Sequence, residues 1–215
     1  MSSGTRPARS RNRREHILAA SLELFAAHGV QHVSTRQIAR AVGISQPSLY
    51  AHFASREDIA VELCRRAFAR LGERMAAALA EPGTPADRLR GAGLEYIRFG
   101  LEEPAAYRVA FMLESSVDDA QGPAKLEAGL AAFGTMSGFL REVRGTSEAT
   151  EIAAQSCWAT MHGLVSLLLT RPHFPWANRE ELVRHHLSVA CAAALSLELK
   201  EPDLSSKQCS FSATA

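Results

Sequence analysis

The sequence has little cysteine, and it has none of the motifs of a disulfide scaffold, a zinc protein or a familiar enzyme. Its four cysteines stand far apart among 215 residues and form no Cys-x-x-Cys pair. We therefore expect reduced thiols that pack as small apolar side chains. Gly-x-Ser-x-Gly, a phosphate-binding loop, a dinucleotide fingerprint and His-Glu-x-x-His are all missing. The sequence therefore predicts a protein that is not an enzyme and that needs no cofactor and no metal.

Long apolar runs and strand patterns are also missing. The apolar segment Ile17–Val30 is interrupted by Glu23 and His28, which is not typical of a signal peptide. The segment Cys157–Thr170 is too short to cross a bilayer. No alternating β-branched run or Asn-Gly hairpin occurs, whereas residues that cap helices are frequent. We expect an all-α, soluble, cytoplasmic protein that does not bind a membrane.

Charge is distributed unevenly along the chain. Residues 1–56 carry eight arginines against Glu15 and Glu23, whereas the remainder carries 16 basic and 21 acidic residues. A basic N-terminal unit on an acidic body favours a local contact with a polyanion over a protein coated with nucleic acid.

Capping residues, prolines and glycines divide the chain into nine predicted helices. The first four begin at about Arg13, Ser34, Ser45 and Ser55, and the last of these runs to about Leu79. Five more are predicted at about 85–102, 104–113, 123–143, 147–170 and 178–199. We therefore predict a disordered basic arm at 1–12, a three-helix head at 13–56, an antiparallel helical bundle at 57–200 and a flexible tail at 201–215.

Residues 34–53 have the pattern of a helix-turn-helix. Two short helices are joined by Val42-Gly43-Ile44, a length and a glycine typical of that motif. Their apolar positions can pack on the first helix, which leaves polar residues outward: Thr35, Arg36, Ser45, Gln46, Ser48, Tyr50 and His52. A helix start rich in hydroxyls and amides suits phosphates and base edges, so this unit is predicted to bind double-stranded DNA.

The run S-T-R-x-I-A-x-x-x-G-I-S-x-x-S-L-Y-x-H-F resembles the signature of TetR-family regulators, and E-L-F-x-x-x-G in the first helix extends the resemblance. The resemblance covers about the first sixty residues. It implies a phosphate contact for Thr35 and a phosphate or base contact for Arg36. It also implies that Gln46, Pro47 and Ser48 face base edges in the major groove.

The same resemblance gives roles to the end of the motif. Tyr50 and His52 are expected to hydrogen-bond phosphates. Arg56 stands where the family usually has lysine, so we expect a phosphate contact of altered geometry. Ala51 is smaller than the residue common in the family, which puts one backbone contact in doubt. The arginines at positions 6–14 either enter a minor groove and contact phosphates or form a solvated tail.

The resemblance further implies a nine-helix protein that dimerises through its last two helices and binds a palindromic operator. Small residues in those helices would allow close approach: Gly163, Ser166, Ala190, Ala192, Ala193 and Ala194. Burial of the same faces within one subunit is the alternative. We expect a repressor that a small, largely apolar effector releases from DNA, with helix four as the lever.

The segment Trp158-x-x-x-His162-Gly163 resembles one C-terminal subgroup of the family. Trp158 and His162 share a helix face, either as a packed pair or as part of an effector pocket. The other pocket candidates are aromatic or methionine: Met75, Tyr96, Phe99, Tyr107, Phe111, Met112, Phe133, Met136 and Phe139. A lipophilic drug, an acyl thioester, a steroid and an aromatic metabolite all fit this composition.

A redox- or metal-responsive DNA-binding regulator is the alternative function. It would use Cys64 or Cys157, or histidines: His162, His173, His185 and His186. His185 and His186 are adjacent, so their side chains diverge on a helix.

Overall fold

Nine α-helices account for the regular structure of residues 6–112 and 122–196, which are the part of the chain that the computed structural model describes. They are α1 (Arg6–His28), α2 (Thr35–Val42), α3 (Gln46–Tyr50), α4 (Arg56–Ala80), α5 (Pro85–Glu102), α6 (Pro104–Tyr107), α7 (Gly122–Arg144), α8 (Glu148–Thr170) and α9 (Arg179–Leu195). A 3-10 turn covers Val30–His32, and a π-helical turn covers Arg108–Met112. The all-α fold and the helix count predicted from the sequence are confirmed for these residues.

The capping residues set the helix ends where the sequence predicts. Ser34 accepts a hydrogen bond from the backbone N–H of Gln37, and the Gln37 side chain accepts one in return from the backbone N–H of Ser34 at 2.8 Å. The Ser45 and Ser55 side chains cap α3 and α4 by accepting from the backbone N–H groups of Ser48 and Asp58. Gly43 ends α2 in the left-handed region, with φ of 71°, which glycine adopts without steric cost.

Three predicted boundaries differ from the structure. α9 ends at Leu195 rather than at about residue 199. α1 begins at Arg6 rather than at about Arg13, so the predicted disordered arm is wrong for residues 6–12. Arginine and alanine form helices readily and Pro7 fits a first turn, which outweighs the like charges of this segment. The predicted helix 104–113 is divided into α6 and the π-helical turn. Residues 1–5, most of the predicted acidic loop 114–122 and the tail 201–215 lie outside the described residues.

α1, α2, α3 and the start of α4 enclose one apolar core. Ile17 and Phe25 from α1, Ile38 from α2, Leu49 from α3 and Ile59 from α4 are all fully buried in it. This core fixes the position of α3 on the surface of the head, because Leu49 is the residue by which α3 is anchored.

α4, α5, α7, α8 and α9 pack around a second core. α5 and α8 approach closely at Gly100, where a Cβ atom would lie 2.4 Å from Val165 Cγ1. By length and composition alone α8 could cross a membrane, but Cys157, Met161 and Leu164 are buried in this core. The apolar segment noted in the sequence is therefore part of a 23-residue helix that packs within the bundle.

An ionic cluster joins the head to the bundle. Glu62 on α4 accepts hydrogen bonds from Arg14 on α1 and from Arg65 and Arg66 on its own helix, and Arg66 also binds Glu15 of α1 with both amino groups. Burial by itself raises the pKa of Glu62, but the bonds from these arginines outweigh burial and hold its pKa at about 2. The carboxylate therefore stays ionised and holds α1 against α4.

Replacing Glu62 with glutamine is expected to lower the free energy of unfolding by about 1–2 kcal/mol, since three charge-assisted hydrogen bonds are weakened. A carboxyl with a depressed pKa stabilises the fold above its ordinary value of 4.5, and this stabilisation is lost as the pH falls towards about 2. Urea unfolding at pH 7 and pH 3.5 should therefore show a smaller acid-induced loss for Glu62→Gln than for the wild type. The exposed Glu142→Gln is the control. Equal pH dependence of the free energy of unfolding in both variants would contradict the role of Glu62 in holding α1 against α4.

Candidate nucleic-acid interface and ligand cavity

The predicted DNA-binding residues form one polar surface across α2 and α3. Ser45, Pro47 and Tyr50 are exposed on α3, and Arg36 is exposed on α2. The remaining members are half-buried: Thr35, Gln46, Ser48 and His52. α3 therefore exposes Pro47 and Tyr50, with its N-cap Ser45 exposed just before the helix.

Gln46, Thr35 and Tyr50 are joined by hydrogen bonds that cross from one helix to the other. Gln46 Nε2 donates to Thr35 Oγ1 at 3.0 Å, and Thr35 Oγ1 lies 3.2 Å from the Tyr50 hydroxyl. One N–H of the Gln46 amide is thus engaged. Among the residues that the structure describes, its second N–H and its oxygen have no hydrogen-bond partner. These two atoms are the ones that a glutamine presents to adenine in a bidentate contact.

Arg56 has a different environment from the one expected. Its guanidinium donates to the backbone oxygens of Gln31 and Val33, at 2.9 Å and 3.3 Å, and its Nε binds Glu57. The residue thus ties the start of α4 to the turn before α2. Three engaged donors leave fewer N–H groups for a phosphate than the family resemblance implies, a tertiary arrangement that sequence alone does not reveal.

Arg14, in the predicted basic arm, is likewise held within the protein. Its guanidinium lies over the Phe53 ring, 4.7 Å from the centroid, and donates to Glu62. Arg11 and Arg13 are exposed on the first half of α1. Arg11 and Arg13 therefore present their charge from a helix.

A cavity of about 550 Å³ lies within the bundle, between α4, α5, the π-helical turn, α7 and α8. Seven of the eleven pocket residues that the sequence predicts line it: Met75, Tyr96, Phe111, Phe133, Met136, Trp158 and His162. Phe99, Tyr107 and Met112 do not line it, and neither does Phe139. Phe99 and Tyr107 are fully buried in the core instead, because their positions on α5 and α6 turn them towards neighbouring helices.

The sequence interpretation missed other lining residues. Phe68 and Leu71 precede Met75 on one face of α4, and Leu126 and Leu130 precede Phe133 on α7 at the same helical spacing. The 3.6-residue period was therefore a signal that could have identified them. Leu126 and Leu130 are 63% and 57% exposed, unusual for leucines. They place an apolar edge at the cavity beside α7.

Five polar groups form a chain of hydrogen bonds at the α5 and α8 side of the cavity. Trp158 Nε1 donates to the Tyr96 hydroxyl at 3.2 Å, and the Tyr96 and Tyr107 hydroxyls are 3.3 Å apart. The Tyr107 hydroxyl lies 2.6 Å from His162 Nδ1, and His162 Nε2 lies 3.3 Å from Ser166 Oγ. These distances fit donation from each group to the next, from Trp158 to Ser166.

The members of this chain are uncharged near neutral pH. Burial lowers the pKa of His162, which favours the neutral ring. Burial also raises the pKa of Tyr96, and it raises the pKa of Tyr107 to about 12. A neutral His162 accepts at Nδ1 from Tyr107 and donates at Nε2 to Ser166.

Cys64 lines the cavity with a thiol that donates to the Val109 carbonyl at 3.3 Å. Burial raises its pKa to about 11, so the unreactive thiol form dominates. Cys157 and Cys191 are buried free thiols in the bundle. Within residues 6–112 and 122–196, no three His, Cys, Asp or Glu side chains are grouped so as to hold a metal ion.

Two protein-family models match this chain. Residues 17–63 match the model of bacterial regulatory proteins of the tetR family, and residues 89–190 match the model of the tetracyclin repressor-like C-terminal domain. Together the two models cover more than two thirds of the chain. The chain belongs to the TetR family of bacterial helix-turn-helix regulators. The matches do not confirm the Trp-x-x-x-His-Gly subgroup.

Individual proteins show the same relationship. The chain is 38% identical over 58 residues to the transcriptional regulator TcmR of Streptomyces glaucescens. These 58 residues are 27% of this chain and 26% of TcmR. It is 35% identical over 78 residues to AcrR of Shigella flexneri, 36% of each protein. The chain thus matches only about a quarter to a third of the length of these relatives. The fatty acid degradation regulator FadR of Bacillus halodurans has the same fold, with a TM-score of 0.71 at 15% identity, covering 83% of this chain and 94% of FadR.

Proposed function

We propose that this TetR-family protein is a dimeric repressor that binds a palindromic operator through α3 and is released by a small, largely apolar effector. The observation that carries the proposal is that α4 belongs to both parts of the molecule. Ala60 and Cys64 lie in the core of the head and also line the cavity. A ligand in the cavity therefore contacts the helix on which the DNA-binding head rests.

A second connection runs through the π-helical turn. Val109 lies in the head core and on the cavity wall, and its carbonyl accepts the hydrogen bond from Cys64. Displacement of this turn by a ligand would move α4 and α1 together. Coupling between two such sites typically amounts to about 1–3 kcal/mol, or roughly 5- to 150-fold in affinity for DNA.

The proposed dimer interface is the outward face of α8 and α9. Ile152, Leu167 and Val189 are 51%, 50% and 55% exposed there, which is costly in water for three large apolar residues on one pair of helices. Ala192 and Ala193 are exposed beside them, whereas Ala190 and Ala194 pack inside the subunit. Of the small residues in α9 that were predicted to allow close approach, two therefore lie at the proposed interface and two lie in the core of the subunit.

The Trp-x-x-x-His-Gly subgroup is part of the same proposal. Trp158 and His162 both line the cavity from one face of α8, and Tyr96 connects them by hydrogen bonds. This supports a ligand-related role for the motif over a pair that only packs.

Selection from random duplex oligonucleotides tests the proposal. We expect one enriched palindrome, two chains bound per site, and half-sites about one helical turn apart. Val189→Arg places a charge in the proposed interface and should yield monomers with weakened operator binding, while the exposed Glu142→Gln should bind normally. Enrichment of no site, or full binding by a monomeric variant, would overturn the proposal.

A further inference from the structure

We propose that the effector is an uncharged aromatic molecule with a hydroxyl group, and that Trp158 and Tyr96 bind that hydroxyl. This inference rests on the proposed function, since it takes the cavity as the effector site. It adds the chemical class of the ligand and the two groups that recognise its polar atom.

Among the described residues, the cavity lining offers no counterion to a cation and only Lys125 to an anion. No Asp or Glu is among its lining residues in the part of the chain that the structure describes, so a cation finds no carboxylate. Lys125 is the single lining residue with a permanent positive charge, and it already takes part in an interaction of its own. The polar chain is neutral, so a charged ligand would lose its hydration without gaining a counterion there.

The walls favour flat rings. Six aromatic side chains line the cavity: Phe68, Tyr96, Phe111, Phe133, Trp158 and His162. The Phe68 and Phe111 rings are 4.9 Å apart and edge to face, and the Phe133 and Trp158 rings are 5.9 Å apart and also edge to face. An aromatic ligand can join these pairs at the same separations, and the cavity volume is in the range of small-molecule sites.

Every contact of the Tyr96 hydroxyl within the polar chain is long, and Tyr96 lines the cavity. The contacts of the Tyr96 hydroxyl with Trp158 Nε1, the Tyr107 hydroxyl and His162 Nδ1 are 3.2–3.3 Å, whereas the Tyr107 to His162 contact is 2.6 Å. An O–H···O bond usually lies near 2.7–2.8 Å, so the 3.3 Å contact between the Tyr96 and Tyr107 hydroxyls is long and the Tyr96 hydroxyl can improve its bonding.

A ligand hydroxyl has the donor and the acceptor that this position needs. It can accept from Trp158 Nε1 in place of the Tyr96 hydroxyl and donate to a lone pair of the Tyr96 oxygen, so that it inserts between the two side chains. Trp158 is 37% exposed, so its indole is accessible from the cavity. Tyr107 does not line the cavity and is a positioning residue, because its hydroxyl orients the His162 ring behind Tyr96.

Binding of four naphthalenes by calorimetry at pH 7.5 tests the proposal. The probes are 1-naphthol, 1-methylnaphthalene, 1-naphthoate and 1-naphthylmethylammonium, which share one ring system and differ in the polar group. We expect 1-naphthol to bind about three- to tenfold more tightly than 1-methylnaphthalene, the size of one neutral hydrogen bond. Both ions should bind about tenfold or more weakly than 1-naphthol.

The variants Tyr96→Phe and Trp158→Phe should bring the ratio of the 1-naphthol affinity to the 1-methylnaphthalene affinity close to one, whatever each change does to packing of the shared ring. Phe133→Leu is the matched control, since it should weaken all four probes alike. If Tyr96→Phe fails to fold, Trp158→Phe decides. Tighter binding of either ion, a preference kept in the variants, or no binding of any probe overturns the inference.

An operator mobility shift with each probe separates this inference from the proposed function. Preferential binding of 1-naphthol without release of DNA supports the ligand class and contradicts the release mechanism. Release of DNA by an ion, with no preference for the hydroxyl, supports the release mechanism and overturns the ligand class.

Discussion

Replacing Gln46 with alanine should lower the affinity for the selected operator by at least about 30-fold. A bidentate contact from glutamine to adenine is worth about 1–3 kcal/mol, and a dimer with two heads loses that contact twice. The structure holds Gln46 in place by its bond to Thr35, so the free protein already has the side chain restrained before it meets DNA. Fluorescence anisotropy with the operator and with a mutated half-site measures the loss of affinity and of specificity.

Two variants distinguish a contact with a base from a contact with a phosphate. Gln46→Ala should leave the salt dependence of binding unchanged, since a neutral amide displaces no counterion. Arg36→Ala should reduce the slope of log K against log salt by about one unit per head while weakening all sequences alike. Unchanged affinity for Gln46→Ala, or a changed salt slope, would contradict the role of Gln46 at the base edges.

Replacing Gly100 with alanine should lower the free energy of unfolding by about 1–3 kcal/mol, the usual cost of an added methyl group in a packed core. The new Cβ would lie 2.4 Å from Val165 Cγ1 and 3.1 Å from Tyr107 Cδ2, and both neighbours are fully buried. For a chain of this length we expect Tm to fall by roughly 2–12 °C. The shift of Tyr107 should also loosen the polar chain at His162 and weaken probe binding.

Gly134→Ala is the matched control for this effect. Gly134 lies in α7, and a Cβ atom built there meets nothing within 4 Å. This change should raise stability by up to about 1 kcal/mol, because alanine is the better helix former. Calorimetric melting of both variants decides the matter, and an equal Tm for the two would show that α5 and α8 do not approach as closely as the structure indicates.

The helix-turn-helix was predictable because its signals are local. Ser34 and Ser45 cap their helices through side chains three residues from their partners, and Gly43 ends α2 through its own backbone conformation. The apolar period of α4 was also readable, although the lining role of Phe68 and Leu71 was not recognised from it. Roles that depend on one residue and its near neighbours are therefore visible in sequence.

Contacts between distant segments were not predictable. The sequence placed Tyr107 among the pocket residues and Arg56 at a phosphate, whereas the structure buries Tyr107 behind His162 and joins Arg56 to the carbonyls of Gln31 and Val33. The roles of the individual DNA-binding residues stay predictions until binding is measured.

The amino-acid order by itself determined the helical class, the helix starts at Ser34, Ser45 and Ser55, and the family, because capping, propensity and apolar period act within a few residues. Only the tertiary structure decided which aromatic side chains face the cavity, which arginines are engaged in holding α1 on α4, and that Trp158 and Tyr96 are hydrogen-bonded to each other. Those outcomes depend on the angles at which whole helices cross, and these angles are set by packing over the entire core rather than by any local pattern.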